Sequence, residues 1–464
     1  MWLLLLPLLF SPFVASYEDK SKNLLVLLEN VYIKETHSTF LNMLTNRGYN
    51  LTTKLADESS ISLKYLGEYL YSGLIILAPS VSEFGGTLSV REITNFIDDG
   101  GNLVVVAGPN VGESIRELGS ECGVEFDEEN TLVIDHFNFD KRDDGLHSLI
   151  TVPVNNLVKS NVITGGKVSA PLLYRGIGIS ADQTNPLLID VLHGSKTSYS
   201  YNPDKTITDY PNSVGTNTQL ITALQARNNA RALFIGSLDF LSNSFFESTV
   251  ETESHKGVVC GNQMLTDNLL RWVLGERGQL RHTYVKHHRV GETLPPSQYT
   301  ILDDVIYTIK IETKDDNGNW VPFNADDVQL EFVRIDPFIR KKMEHKNGEY
   351  QLVMKLPDVY GVFKFVVDYY RVGYTHLLSV TQVPVRPFTH TQYERFLVAA
   401  YPYYSSAISM MVGLVLFSFV FLYLKDDKEK VRYILTFTWK QKRSETTTQQ
   451  SGPFHILANM LFYA

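Results

Sequence analysis

Residues 23–28 form an unbroken apolar run of strand length, and the segment after it changes period. Within residues 36–47, Phe40, Leu41 and Leu44 fall at helical spacing before Gly48 ends the pattern. The alternation then repeats. Residues 71–77 read as a second buried strand, Val90, Ile93, Phe96 and Ile97 mark a second helix, and residues 102–107 supply a third strand. Strands apolar on both faces suit a parallel sheet covered by helices on each side, so the N-terminal region is expected to be an open α/β layer fold. Further strands are expected at 131–134 and 232–236, and a helix at 264–274.

From about residue 281 the period shortens to two. Val305, Tyr307, Ile309 and Ile311 alternate with less apolar neighbours, as do Val328, Leu330 and Phe332, and then Tyr350, Leu352, Met354 and Leu356. Asn317-Gly318 and Asn347-Gly348 fall between such runs as turn dipeptides. This part reads as an antiparallel β-sandwich.

A third pattern closes the apolar reading. No charged side chain occurs between Arg395 and Lys425, and residues 405–424 are built of Ile, Val, Leu, Phe, Met and small residues. About twenty such residues at ~1.5 Å each reach ~30 Å, the thickness of a bilayer core. Tyr401, Tyr403 and Tyr404 before the run and Tyr423 near its end match interfacial aromatic belts. Ser405, Ser409 and Gly413 recur every four residues and form a candidate helix-packing face, although such spacing also arises by chance in spans.

Lys425, Lys428, Lys430 and Arg432 crowd the far flank of the span, which is expected to place the C-terminus in the cytosol and the preceding domains in a lumen or outside the cell. An apolar core from Trp2 to Phe10 and the small residues Val14, Ala15 and Ser16 resemble a secretory signal. The expected division is therefore a signal peptide at 1–16, a lumenal α/β domain at 17–280 and a lumenal β-sandwich at 281–388. A connector at 389–404, a transmembrane helix at 405–424 and a cytosolic tail at 425–464 complete a single-pass, type I arrangement.

Composition narrows the function classes. The 464 residues are 44% hydrophobic and 20% charged, as in folded globular protein. The net charge of −9 is spread over mixed-sign segments, so no basic stripe points to nucleic acid. Two cysteines, Cys122 and Cys260, cannot build a disulfide framework; whether they pair is open. Asn50-Leu51-Thr52 is a candidate N-glycosylation sequon.

Candidate chemistry is sparse. The loop after the third strand, Gly108-Pro-Asn-Val-Gly112, is where an α/β sheet places a nucleophile, yet it holds neither Ser nor Cys. Cys122 lies well beyond that turn and reads as structural. Gly176-Ile-Gly178-Ile-Ser-Ala181 has dinucleotide-fingerprint spacing without a βαβ unit around it. His287-His288 reads as a solvent-facing loop pair and not as metal ligands. No catalytic, cofactor-binding or metal-ligating residue is assigned, and no cofactor is expected.

Several long strings resemble the 48 kDa subunit family of the eukaryotic oligosaccharyltransferase complex. They include Ser82-Glu-Phe-Gly-Gly86, Arg116-Glu-Leu-Gly-Ser-Glu-Cys-Gly-Val-Glu-Phe126, Leu224-Gln-Ala-Arg-Asn-Asn-Ala-Arg231 and Gly236-Ser-Leu-Asp-Phe240. In the second region they are His287-His-Arg-Val-Gly-Glu-Thr293, Gln329-Leu-Glu-Phe-Val-Arg-Ile-Asp-Pro-Phe338 and Leu356-Pro-Asp-Val-Tyr-Gly-Val-Phe363. His390-Thr-Gln-Tyr-Glu-Arg-Phe396 and Ala400-Tyr-Pro-Tyr-Tyr404 lead into the span.

The resemblance implies an endoplasmic reticulum membrane complex that moves a preassembled glycan from dolichyl diphosphate to Asn of N-x-Ser/Thr sequons. It implies an amidotransferase-like α/β domain without its nucleophile, and an accessory subunit needed for assembly and stability. Its partners would be the catalytic multi-spanning subunit, ribophorin I and II and the small defender-against-death subunit. Where the family ends near the 425–430 cluster, this sequence runs on through Val431 and finishes Phe462-Tyr-Ala464 without a terminal dilysine, so either retention would fall to assembly or the tail belongs to an alternative or mispredicted transcript end.

Two rival readings are set beside this one. A membrane-tethered α/β hydrolase or amidotransferase would need activity from the sheet cleft, and an adhesion receptor would be exposed at the cell surface. For an accessory subunit, Phe332, Arg334 and Phe338 are candidate interface anchors, with Phe332 equally suited to the sandwich core.

Overall fold

A computed structural model of the chain describes residues 22–424 except 167, 183, 253–255 and 317. The expected signal segment 1–16, the tail 425–464 and Asn317 lie outside the described residues. The chain divides into two units, one up to Pro387 and one from Phe388 onward.

The central sheet of the first unit begins with β1 (Asn23–Leu28), β2 (Asn50–Leu55), β3 (Gly73–Leu77), β4 (Asn102–Val106) and β5 (Val124–Phe126). It is completed by β6 (Ile179–Ala181), β7 (Leu188–His193), β8 (Gln219–Gln225) and β9 (Arg231–Ile235). The nine strands run in the order β2-β1-β3-β4-β9-β8-β6-β5, with β7 paired to β8. From β2 to β9 every pair is parallel.

Beyond β9 the sheet turns antiparallel. The reason is local: Ala226 N–H donates to the Ala230 carbonyl across a tight turn, and a turn that short can only return the chain antiparallel. The fold is thus an open parallel sheet with an antiparallel extension. The expected strand at 131–134 is present as Leu132–Ile134 but pairs with Tyr199–Tyr201 outside the central sheet.

Each parallel strand buries both faces. Leu24, Val26 and Leu28 of β1 pack with Phe40 and Leu44 of α1 (Ser38–Asn46), while Leu25 and Leu27 join the opposite layer. There they meet Val90, Ile93 and Phe96 of α2 (Val90–Asp98) and Ile115 and Leu118 of α3 (Glu113–Glu121). Ser89 caps α2 by accepting the Glu92 N–H at 3.3 Å. α4 (Asn262–Val273) places Leu265, Leu269 and Trp272 against the α1 side.

The sandwich opens with β10 (Leu280–Arg289), β11 (Tyr299–Thr300), β12 (Asp304–Lys314), β13 (Trp320–Pro322) and β14 (Gln329–Val333). β15 (Pro337–Lys342), β16 (Glu344–Lys346), β17 (Glu349–Lys355), β18 (Gly361–Tyr369) and β19 (Leu377–Arg386) follow. One five-stranded sheet has the order β10-β12-β17-β16 with β13 on β12; the other has β11-β19-β18-β14-β15. Asn347 and Gly348 sit at φ 53° and 77°, the paired left-handed residues of a tight hairpin turn between β16 and β17. On neighbouring strands of the second sheet, Phe332 of β14 and Phe363 of β18 stack with centroids 4.5 Å apart and both are buried, so Phe332 belongs to the core.

The β18–β19 hairpin tip plugs the sandwich into the α/β domain. Trp272 Nε1 donates to the Gly373 carbonyl at 2.8 Å, Gly373 N–H donates to Gln225 Oε1 at 3.2 Å, and Gln225 Nε2 donates to the Tyr374 carbonyl. His376 N–H donates to Asn229 Oδ1 at 2.7 Å. Beneath the tip lies Arg231, 1% exposed, which donates to the carbonyls of Trp272, Arg277, Gly278 and Gly373. Burial pushes its pKa down to about 9, which leaves it charged at neutral pH.

The second unit contains α5 (Tyr401–Tyr423), preceded by a short 3-10 turn at Val398–Ala400.

Candidate functional site

Parallel strands point their C-terminal ends at one rim of the sheet, and ligands of α/β folds bind there. In this protein the ends of β1, β3, β4 and β9 surround a cavity of about 420 Å³ lined by Glu29, Ser80, Gly108, Arg175, Leu238 and Asp239 among others. The polar groups are engaged with one another. Ser80 Oγ donates to Glu29 Oε1 at 2.8 Å, and Arg175 donates from Nε and Nη2 to Asp239 Oδ2 at 3.0 and 2.8 Å.

Among the described residues, no histidine or cysteine lines this cavity. His37 stands behind its Leu238 wall, 4% exposed, with Nε2 donating to the Leu238 carbonyl at 3.1 Å and Nδ1 accepting from Thr36 Oγ1 at 2.9 Å. Burial lowers its pKa against the opposing pull of the Leu238 and Ile33 carbonyls and Asp239. Both ring nitrogens of the neutral imidazole are therefore occupied, and the ring is a packed wall element and not a general base for the rim.

The loop after β4 is clasped to the loop after β3. Gly112 N–H donates to the Pro79 carbonyl at 2.8 Å and Ser114 Oγ donates to the Ser82 carbonyl at 2.6 Å. A methyl group on Gly112 would overlap the Val81 carbonyl, so the two loops approach each other as closely as only glycine allows. Cys122 closes α3 from inside the core, 8% exposed, with its thiol pushed up to about 12 by burial and then by Glu121 and Asp98. A thiol held protonated in this way is inert. Cys260 is likewise buried, and the two cysteines are free.

The glycine pair at Gly176 and Gly178 has a packing role. Gly176 passes directly over Gly236, whose carbonyl accepts the Ile177 N–H at 2.9 Å, and a strand, β6, follows where a dinucleotide site needs a helix. His287 and His288 are in β10 and not in a loop. His287 is half-buried with Nδ1 2.8 Å from Tyr299 Oη, while Nδ1 of His288 meets the Arg289 carbonyl at 3.0 Å. Among the described residues no group of three or more His, Cys, Asp or Glu is placed to hold a metal ion.

Asn50 opens β2, the edge strand of the central sheet; it is exposed, and its Nδ2 donates to Asn23 Oδ1 at 3.1 Å. On the sandwich, Phe338 is 46% exposed and Arg334 Nη1 donates to the Tyr360 carbonyl at 3.3 Å. In the second unit, Val398–Tyr423 is long and apolar enough to cross a membrane and is exposed throughout. Ser405 Oγ donates to the Pro402 carbonyl at 3.0 Å and Ser409 Oγ to the Ser406 carbonyl at 2.8 Å. Both hydroxyls are thus satisfied within the helix, and with Gly413 they leave a face of small side chains.

Comparison with known proteins places this architecture. The family description "OST48, N-terminal domain" matches residues 15–276 and "OST48 middle domain" matches residues 287–425. The dolichyl-diphosphooligosaccharide–protein glycosyltransferase 48 kDa subunit of Danio rerio is 54% identical over 409 residues, covering 88% of this chain and 92% of its own. The proteins of that name from Drosophila melanogaster and Caenorhabditis elegans are 52% and 47% identical, covering 88% and 91% of this chain and 93% and 96% of theirs.

Proposed function

The chain belongs to the family of the oligosaccharyltransferase 48 kDa subunit, and from that premise we propose that it is a non-catalytic, lumen-facing scaffold of the complex. The complex transfers a preassembled glycan from dolichyl diphosphate to Asn of N-x-Ser/Thr sequons in nascent proteins. The identity of 47–54% over most of the chain carries membership; the rim without an activated nucleophile supports the accessory role. A membrane-tethered hydrolase or amidotransferase is not favoured, because the residues such chemistry needs are absent from the β4 turn.

In this reading the α/β and sandwich domains form a rigid lumenal body, and α5 anchors it in the endoplasmic reticulum membrane as a type I protein with its tail in the cytosol. The basic flank at Lys425, Lys428, Lys430 and Arg432 supports that orientation. The partners are the catalytic multi-spanning subunit, ribophorin I and II and the small defender-against-death subunit.

The small face of α5 is the docking surface for a partner span. Ser409→Leu with Gly413→Leu is expected to strip partner chains from the protein during mild-detergent purification, since bulky side chains hold apart the backbones that small residues let approach. Unchanged co-purification would remove this role from the face.

Asn50 is the glycan acceptor of the lumenal body. Its place at the start of an open edge strand lets an attached glycan shield unpaired backbone from other chains. Digestion with a peptide N-glycosidase is expected to increase gel mobility of the wild-type protein and leave Asn50→Gln unaffected. An undigested wild type, with a sequon introduced by Glu129→Asn glycosylated as control, would show that Asn50 is passed over.

A further inference from the structure

The two ends of the sandwich differ. One, carrying the 370–376 turn, is buried against the α/β domain. The other gathers the loops 290–298, 334–336 and 356–360 and the last residues of β19. These are bound together: Val290 N–H donates to the Asp304 carbonyl at 2.9 Å, Leu356 N–H to the Asp303 carbonyl at 2.9 Å, and Ile301 N–H to the Arg386 carbonyl at 3.0 Å. The Arg334 contact with the Tyr360 carbonyl adds the third loop.

Each of these loops raises an apolar side chain into solvent. Leu294 is 77% exposed, Ile335 84% and Tyr360 64%, and Val290 and Val362 stand beside them at 54% and 51%. Single exposed apolar residues are ordinary, but three loops at one end of the sandwich that each expose one are the pattern that marks an interaction site. The charges around it are of both signs, Arg289, Arg334 and Arg386 with Glu292, Asp336 and Asp358, so attraction to anionic headgroups is not the main contribution.

The course of the chain indicates the occupant. β19 ends at this patch, Val385 pairing with Gly361 and Tyr299, and residues 387–400 then join it to α5. We propose that this end of the sandwich rests on the bilayer, with Leu294, Ile335 and Tyr360 entering the headgroup and acyl boundary as three apolar feet. The inference rests on α5 being the membrane anchor. An amphipathic tyrosine beside two aliphatic tips is the composition that partitions to that boundary.

The test places a fluorescent non-natural amino acid singly at Leu294, Ile335 or Tyr360 in the intact complex, reconstituted in phosphatidylcholine nanodiscs. Met411 in the span and Tyr210, 93% exposed on the α/β domain, are the reference positions. Doxyl-labelled lipid is expected to quench positions 294, 335 and 360 severalfold more than position 210. Quenching at those three by aqueous iodide alone would overturn the proposal, because the loops would then face water. Protection from both quenchers would overturn it too, by assigning the patch to a protein partner. If position 411 also escapes lipid quenching, the anchor reading has failed and not the loop contact alone.

Discussion

Replacing Arg231 with Leu is expected to lower the stability of the lumenal body by about 3 kcal/mol, because hydrogen bonds from a charged donor, worth roughly 1.5–3 kcal/mol each, are lost from four carbonyls. The guanidinium lies over the Trp272 ring at 4.9 Å and satisfies four carbonyls drawn from α4, the Arg277–Gly278 turn and the sandwich hairpin. Leu would take one donor from each of these carbonyls; those of Trp272, Gly278 and Gly373 keep the Gly275 N–H, the Thr375 N–H and Trp272 Nε1, and the Arg277 carbonyl loses the Arg231 donor outright. Relief of the cost of burying a cation offsets part of this. Thermal unfolding of the purified full-length chain should show a midpoint several degrees lower, and Arg231→Lys should recover only part of it, because one ammonium cannot span a planar fork's four acceptors. A loss below about 1 kcal/mol would mean that the hairpin is held by Gln225 and Trp272 without the cation.

Gly112→Ala is the second large effect, expected at about 3 kcal/mol and at the upper end of overpacking costs. The added methyl meets the Val81 backbone, which has no rotamer through which to retreat. Either the β3 or the β4 loop must move, and the bonds from Gly112 to Pro79 and from Ser114 to Ser82 go with it. Chemical denaturation measures the loss, and faster proteolysis within 79–114 locates it. A variant as stable and as protease-resistant as the wild type would show that the rim loops are looser than their contacts imply.

The parallel half of the sheet was legible because a strand buried on both faces must be apolar throughout, as β1, β3 and β4 are. β2 was missed for the converse reason: an edge strand, half exposed, mixes Thr and Lys with Leu and carries no clear period. β8 was missed because Gln219, Thr222 and Gln225 interrupt it, yet all three are buried. Thr222 Oγ1 donates to Gln219 Oε1 at 2.6 Å, and Gln225 bonds a hairpin about 150 residues away, which no local pattern encodes. Arg231 is the same case. A cation at the start of a strand reads as a solvated end until the fold supplies its carbonyls. The alternation of β12, β14 and β17, by contrast, was plain, because a sandwich strand has one buried face.

The β4 turn lacks Ser and Cys, and the structure adds that Ser80 is paired with a carboxylate and that His37 faces away into packing. What the sequence did not disclose is the patch at the far end of the sandwich, since Leu294, Ile335 and Tyr360 are far apart along the chain and meet only when the strands pair.

The central claim is that this chain positions its neighbours and performs no step of glycan transfer itself. The most direct measurement is the rate of sequon-peptide glycosylation by the purified complex in which this chain carries Glu29→Gln, Ser80→Ala and Asp239→Asn together. The account predicts a wild-type rate and a full set of co-purifying subunits. A rate lowered about tenfold or more, ~1.4 kcal/mol in the barrier, in a complex that keeps all its subunits would contradict it.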